Sequence, residues 1–286
     1  MRLIIYLSLT LLFSCSSVEL ANLSQMLVTS KDPRAQTLGH FVNSKREITP
    51  EEELTIGNTI GGGLLTMTPL MNNAEAQNYV NDLGMWIALQ SEQPSLAWRF
   101  GIIDTDDYNA FSMPGGIILI SRGVVKNCAT EAELAGVLAH EISHVLKKHH
   151  VKALQQEAQR LGLSQLSDEI SKGSKNKETA ALASSVVKAG SSLYAKGLDK
   201  DDEFEADRMG VVLAVRAGYS SAGLVRVLDG LSHQNAKTDK YSLLFKTHPS
   251  PESRIENLNK GMSLAVKNYS YLNNQSSRFS FVKKMM

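Results

Sequence analysis

Two histidines and a glutamate occur at a spacing that suits a metal-dependent hydrolase. His140, Glu141 and His144 belong to the run His-Glu-Ile-Ser-His. Residues four apart lie on one face of an α-helix, so His140 and His144 can direct two imidazoles at one metal ion. Glu141 then lies beside that ion, where its carboxylate can take a proton from a water molecule. Chance gives this motif only roughly 0.01 times in a chain of this composition, so a metal site is favoured over a solvated histidine-rich helix.

A zinc ion in such a site needs a third protein ligand and keeps one position open for water or substrate. The segment from Asp201 to Gly210 contains Glu203 and Asp207, again four residues apart, so both carboxylates share a helical face. Glu205 points elsewhere, about 200° around the same helix. Acidic residues also favour the solvated start of a helix. However, a site with two histidines requires a third ligand, and this pair is the best helical source of one.

The helix that carries the two histidines is predicted to be long. Thr130-Glu-Ala-Glu133 is a capping box, so a helix should begin there and run to about Leu154. On a continuous helix His149 and His150 lie about 180° and about 280° from His140. We therefore predict that these two histidines, with the neighbouring lysines, form a solvated cationic face near the end of the helix.

Other segments must position this helix. Ala97 to Ile103 and Gly116 to Ser121 are predicted strands, rich in Ile, Phe and Trp. The link between them, Asn109 to Gly116, is predicted to be irregular and to end in a tight turn. It is either an edge strand to which a substrate backbone adds or a plain hairpin connection. Three adjacent glycines, Gly61 to Gly63, are expected to end a helix that starts near Thr49. Further helices are predicted near residues 73–90, 201–217, 221–232 and 251–264.

Together these segments resemble metallopeptidase family 48, the gluzincin peptidases that include the HtpX-like and CAAX prenyl proteases. The resemblance is closest to the exported bacterial lipoprotein members, because the chain lacks the membrane spans of the integral members. It covers roughly residues 100 to 255, and its motifs are highly specific in combination. The matching motifs are His140-Glu141-x-x-His144, Glu203-x-Glu-Ala-Asp207-x-x-Gly210, Asn109-Ala-Phe111, Pro114-Gly-Gly116, Thr247-His248-Pro249 and Arg254-Ile255.

The resemblance implies one zinc ion held by His140, His144 and Glu203, with Glu141 as the catalytic base. It also implies Asp207 as an essential acidic residue. Asp207 is expected either to donate a proton or to orient a ligand histidine, and the sequence leaves both roles open.

His248 is implied as a fourth ligand that would hold the enzyme latent, or else as a histidine at a helix entry without metal contact. The implied fold class is α+β: a mainly helical gluzincin-like domain with a small β-sheet packed over the zinc-binding helix. The implied function is a zinc-dependent endopeptidase that cleaves unfolded or misassembled cell-envelope proteins by Glu-assisted attack of zinc-bound water. The alternative is a non-proteolytic chaperone or assembly factor for envelope proteins that keeps a structural zinc site.

The amino terminus predicts export. Arg2 precedes the apolar run from Leu3 to Phe13, which suits a signal peptide and is too short to span a bilayer. The run then closes on Ser14-Cys15 in the manner of a bacterial lipobox. We expect a lipid on Cys15 to anchor the chain to the outer membrane on the periplasmic side, with an ordinary secretory signal as the alternative. The predicted organisation is a signal peptide (1–14), a tether (15–48) and a zinc metallopeptidase domain (49–286).

The bulk composition excludes several classes. The 286 residues are 43% hydrophobic and 21% charged with a net charge of +1, which gives no reason to expect a nucleic-acid partner. The chain has 2 cysteines, Cys15 and Cys128. If Cys15 carries lipid, Cys128 has no partner within the chain, so we predict no disulfide framework and a buried, inert thiol.

Overall fold

The computed structural model describes residues 48–160, 188–235, 238–272 and 276–286. The predicted signal peptide and all but one residue of the tether lie outside these ranges. The described residues up to 157 and from 188 onward belong to one compact unit, whereas only 158–160 of a second unit are described. Within the described ranges, no helix is both long and apolar enough to cross a membrane.

The fold is mainly helical with one small sheet, as the sequence predicts. Residues 188–196 are helical. The other elements are α1 (Pro50–Met67), α2 (Ala74–Ala88), β1 (Arg99–Ile103), β2 (Ala110–Met113), β3 (Ile117–Ser121), α3 (Arg122–Asn127), α4 (Glu131–Leu146), α5 (His149–Arg160), α6 (Lys200–Arg216), α7 (Gly223–Ser232), α8 (Asp239–Thr247), α9 (Pro251–Gly261), α10 (Leu264–Lys267), a 3-10 turn (Asn268–Tyr271) and α11 (Ser277–Lys283).

The sheet has the strand order β1-β3-β2, with β1 parallel and β2 antiparallel to β3. Ala110 lies opposite Ile120 and Met113 opposite Ile117, so this link contains a regular edge strand of the described sheet. An edge strand was one of its two predicted forms, whereas the expected irregular backbone is wrong. The predicted tight turn is confirmed, because Gly115 and Gly116 adopt φ angles of 80° and 91° between β2 and β3. Such angles favour glycine over any residue with a Cβ atom.

Helix α1 does not end at its glycines, so that prediction is wrong. It begins as predicted, where the Glu52 N–H and the Thr49 side chain meet in a capping box, but it continues to Met67. A Cβ atom on Gly57 would lie 1.9 Å from the Pro114 carbonyl oxygen, and one on Gly61 would lie 3.3 Å from the sulfur of Met113. Gly57 and Gly61 therefore allow close packing against β2 and its turn, and Gly61 to Gly63 do not break the helix.

Helix α4 lies in the core of the described unit. Every residue from Ala132 to Val145 is buried, which is the pattern of a helix surrounded on all sides. Strands β2 and β3 and helix α6 pack against it. A Cβ atom on Gly210 of α6 would lie 2.9 Å from the backbone of His140, so the glycine sets how closely the two helices approach. The predicted small sheet over this helix is confirmed.

Candidate active site

The helix that carries the two predicted histidine ligands ends earlier than the sequence indicates. α4 stops at Leu146, Lys148 takes a left-handed φ of 56°, and α5 begins at His149. The Lys148 ammonium lies 2.8 Å from the buried carboxylate of Glu53 on α1, a contact available only because the chain turns here. The angles around the helix that were counted from His140 therefore do not apply to His149 and His150, which lie beyond this turn. His149 and His150 are 0% and 7% exposed, so the predicted solvated face is wrong.

The three predicted metal ligands come together. The Nε2 atoms of His140 and His144 lie 3.1 Å apart. The Glu203 carboxylate on α6 faces both of them, with Oε1 3.5 Å from His144 Nε2 and Oε2 3.7 Å from His140 Nε2. All three side chains are buried.

This donor set fits a divalent cation. The buried Oε2 atom of Glu203 has no hydrogen-bond partner among the described residues. Burial raises the pKa of Glu203 to about 7, although His140 and Arg254 act in the opposite direction. A buried carboxylate oxygen without a hydrogen bond costs free energy. The Arg254 Nη1 atom, 4.0 Å from Oε2, is beyond hydrogen-bond distance. Two imidazole nitrogens and a carboxylate oxygen are the ligands that Zn²⁺ takes in sites with an open position.

Asp207 lies behind His140. One of its oxygens is 2.9 Å from His140 Nδ1, and Arg254 of α9 donates to both oxygens, at 2.8 and 2.6 Å. Burial raises the pKa of Asp207, but the Arg254 guanidinium and His140 outweigh that effect and hold the pKa well below its ordinary value. The carboxylate therefore stays ionised near neutral pH. Sequence reasoning gave Arg254 no role, although the residue lies in one of the matching motifs.

A residue of the sheet holds the Glu141 side chain in place. The Ser112 hydroxyl of β2 donates a hydrogen bond of 2.7 Å to Glu141 Oε2, and the Tyr194 hydroxyl donates to the Ser112 carbonyl at 2.7 Å. His150, predicted to be solvated, packs with its ring centroid 5.3 Å from that of Tyr194. Burial, followed by the charge of His149, lowers the pKa of His150 to about 3, so this ring is neutral. A pocket lined by Phe111, Tyr194, Glu141, Glu203 and other side chains opens at this point.

His248 follows α8 and lies near the predicted ligands. Its Nε2 atom is 3.8 Å from Glu203 Oε2, and its Nδ1 atom is 2.9 Å from the Thr247 hydroxyl. Burial, with Arg254 and His140 adding to it, lowers the pKa of His248 to about 3. A neutral imidazole within reach of the donor set can serve as a ligand, and whether it does so stays a prediction.

His149 contacts the back of His144. The Nδ1 atoms of the two rings are 2.9 Å apart. On its other side, His149 Nε2 lies 3.4 Å from an oxygen of Asp202 and 3.4 Å from an oxygen of Glu205. Glu205 therefore points away from Glu203, as its helical phase predicts.

Sequence comparison assigns the family. A sequence profile of peptidase family M48 matches residues 73–261. The chain belongs to peptidase family M48. Among its M48 relatives is the beta-barrel assembly-enhancing protease of Escherichia coli strain K12, 28% identical over 208 residues that cover 71% of this chain and 42% of the relative. The putative beta-barrel assembly-enhancing protease of Vibrio cholerae serotype O1 is 26% identical, over 73% of this chain and 43% of the relative. The mitochondrial metalloendopeptidase OMA1 of Schizosaccharomyces pombe is 24% identical, over 63% and 51%.

The family resemblance seen in the sequence is thus confirmed, and this M48 chain spans less than half the length of the bacterial relatives that it matches. The structure brings together the predicted catalytic and metal-binding residues, which are His140, Glu141, His144, Glu203, Asp207 and His248. The groups that sequence reasoning missed surround that set: Ser112, Tyr194, His149, His150 and Arg254. Only Arg254 carried a signal in the sequence, its place in a family motif. The histidines gave none, because neither glycine nor proline marks the turn at Lys148.

Proposed function

We propose that this chain is a zinc-dependent endopeptidase that binds one zinc ion through His140, His144 and Glu203. The observation that carries the proposal is the buried Glu203 carboxylate. Its Oε2 atom has no hydrogen-bond partner among the described residues and lies 3.7 Å from His140 Nε2, and its Oε1 atom lies 3.5 Å from His144 Nε2. When bound, zinc would lower the pKa of a water ligand toward neutrality and polarise the carbonyl of the scissile peptide.

Glu141 is the proposed general base. Its carboxylate accepts a proton from the attacking water and returns it to the leaving amine. The hydrogen bond from Ser112 to Oε2 holds this carboxylate in place. Asp207 orients His140, because a carboxylate held ionised by Arg254 has no proton to give near neutral pH. The geometry therefore favours the orienting role of Asp207 over that of proton donor.

The proposed substrates are unfolded or misassembled proteins of the cell envelope. Two features support this part: the relatives named beta-barrel assembly-enhancing proteases and the predicted export signal before Cys15. An extended substrate can add to β2, an edge strand in the described sheet whose residues line the pocket at Glu141. We further propose that His248 fills the open metal position in a latent form and withdraws before substrate binds.

The test combines zinc content with cleavage of casein by the purified full chain. Glu141→Gln is expected to keep one zinc per chain and to lose cleavage by more than about 100-fold, within the range that general bases contribute. Glu203→Gln is expected to lose both zinc and cleavage. Glu252→Gln makes the same change at an exposed glutamate and should alter neither. His248→Ala is expected to keep zinc and raise basal cleavage.

Undiminished cleavage by Glu141→Gln would overturn the catalytic assignment. If wild type binds zinc but cleaves no unfolded substrate, and Glu141→Gln keeps the biological effect, the chain is an assembly factor with a structural zinc site. Retention of zinc by Glu203→Gln would remove Glu203 from the ligand set.

A further inference from the structure

The two histidines of the proposed zinc site are contacted at their Nδ1 atoms by different groups. Behind His140 lies a carboxylate, Asp207, at 2.9 Å from Nδ1. Behind His144 lies another imidazole, His149, at 2.9 Å between the two Nδ1 atoms. His149 is fully buried and comes from α5, on the far side of the turn at Lys148. Its ring therefore does not belong to the face that carries the metal donors.

Only one hydrogen can lie between two ring nitrogens at this distance. If His144 is to bind a metal through Nε2, that atom must be bare, and the proton of the neutral ring must then be on Nδ1. The Nδ1–H of His144 donates to His149 Nδ1, which must itself be bare to accept. The proton of His149 is consequently on Nε2, at the opposite edge of its ring.

Two carboxylates meet His149 at that edge. Asp202 and Glu205 each place an oxygen 3.4 Å from Nε2. They are three residues apart on α6 and so share a helical face, whereas Glu203 between them faces the metal donors. The Lys147 ammonium, 3.2 Å from the other oxygen of Glu205, favours the ionised carboxylate. Ionised carboxylates only accept hydrogen bonds, so they require the proton on His149 Nε2. This proton position sets the donor and the acceptor in the hydrogen bond between His144 and His149.

We propose that His149 is a positioning residue for the metal site: it fixes the proton of His144 on Nδ1 and so leaves His144 Nε2 free for zinc, while Asp202 and Glu205 fix the proton of His149 on Nε2. The inference rests on the zinc site proposed above and deepens it. One helix, α6, would then supply a metal ligand and the outer support of both histidine ligands.

The same three residues could instead hold a second metal ion, because one donor atom from each of His149, Asp202 and Glu205 lies within 4.8 Å of the others. Two facts oppose this reading. The Lys147 ammonium already lies against Glu205. A metal on His149 Nε2 would also require the proton of that ring on Nδ1, facing His144, which would move the proton of His144 to the Nε2 atom needed for zinc. The two arrangements therefore exclude each other.

Zinc affinity provides the first test. It is measured on the purified full chain by competition with a chromophoric chelator. His149→Phe keeps a buried ring but removes the acceptor, and we expect zinc to bind roughly 10- to 100-fold more weakly, as for other groups that orient a ligand. His149→Asn places a side-chain oxygen near the position of Nδ1 and should recover most of the loss. His233→Phe makes the same change at an exposed histidine and should leave the affinity at the wild-type value.

The second test reads the protons directly, on wild-type protein with one zinc bound, and does not depend on the folding of any variant. Long-range proton–nitrogen NMR spectra should show His144 protonated on Nδ1 and His149 protonated on Nε2. A His149 proton on Nδ1, unchanged affinity in a folded His149→Phe variant, or two zinc ions per wild-type chain would each overturn the inference and leave the proposed function standing. If wild type binds no zinc at all, the proposed function fails and this inference fails with it.

Discussion

Two arginine–aspartate pairs of similar length stand in opposite environments. Arg254 and Asp207 are 6% and 1% exposed in their side chains, whereas Arg278 and Asp82 are 58% and 57% exposed at 2.8 Å. Removing one partner of a buried pair leaves an uncompensated charge in the interior, while an exposed charge is solvated by water. The buried pair also fixes the orientation of His140, so its loss should affect the proposed metal site as well as the fold.

Arg254→Leu is therefore expected to reduce the free energy of unfolding by about 3–5 kcal/mol, and Arg278→Leu by less than about 1 kcal/mol. Because the pKa of Asp207 is depressed in the folded state, the pair contributes stability above the unfolded pKa of about 3.9 and loses it as the pH falls. Denaturant unfolding of the metal-free proteins at pH 7 and at pH 3.5 measures both effects. Equal losses in the two variants would contradict the assignment.

At the residue scale, the sequence predicts the proposed metal donors, but it does not predict the residues that surround them. The spacing of His140 and His144 places both on one face of a helix, and the same spacing relates Glu203 to Asp207. The family resemblance then selects Glu203 as the third ligand. The prediction that His149 and His150 are solvated assumes one continuous helix. The left-handed backbone of Lys148 interrupts that helix. The partner that Lys148 gains, Glu53, is distant in sequence. A contact of this kind has no local signal.

At the scale of elements, the site depends on how closely α4 and α6 approach. Gly210 lies directly against the backbone of His140, and α6 carries Glu203 and Asp207 on that same side. A side chain at Gly210 would push the donor atoms of one helix away from those of the other. Gly230 on α7 is the opposite case, since a Cβ atom there meets nothing within 4 Å.

Gly210→Ala should destabilise the protein by about 1–3 kcal/mol through overpacking and should weaken zinc binding by moving Glu203. Gly230→Ala should stabilise it by about 0.4–1 kcal/mol, because alanine lowers the entropy of the unfolded chain and suits a helix. Thermal unfolding and chelator competition on the two variants provide the measurements. Zinc affinity unchanged in Gly210→Ala would show that the helix spacing tolerates the extra methyl group.

The elements themselves were predictable to different degrees. α2 and α6 follow their predicted ranges to within one or two residues, because capping and apolar periodicity are local. The predicted end of α1 at its glycines is wrong, because Gly57 and Gly61 approach Pro114 and Met113 closely. Strand β2 forms by pairing with β3. Because the partner strand is needed for this pairing, the residues of the link left an edge strand and a plain connection both open. Long-range packing decided both.

At the scale of the whole molecule, the predicted export signal and the predicted lipid site at Cys15 lie outside the described ranges. Cys128, by contrast, is described: it is 1% exposed, and burial raises the pKa of its thiol well above the ordinary value. Its predicted buried state is confirmed. The two cysteines thus form a natural comparison, since one is proposed to carry lipid and the other lies in the core.

If Cys15 is lipidated, the full-length protein should sediment with membranes, although none of its described helices could span one. Cys15→Ser should abolish this by removing the thiol that carries the lipid, since a single apolar anchor of this kind has no substitute in the predicted tether. Cys128→Ser makes the same substitution in the core and should leave the protein in the membrane fraction.

Ser16 after the cysteine follows the bacterial sorting rule for the outer membrane, so the protein should be found with outer-membrane vesicles after density separation. Recovery of wild type in the soluble periplasmic fraction would leave only the secretory signal, and a membrane-bound Cys15→Ser variant would mean that another part of the chain binds the membrane.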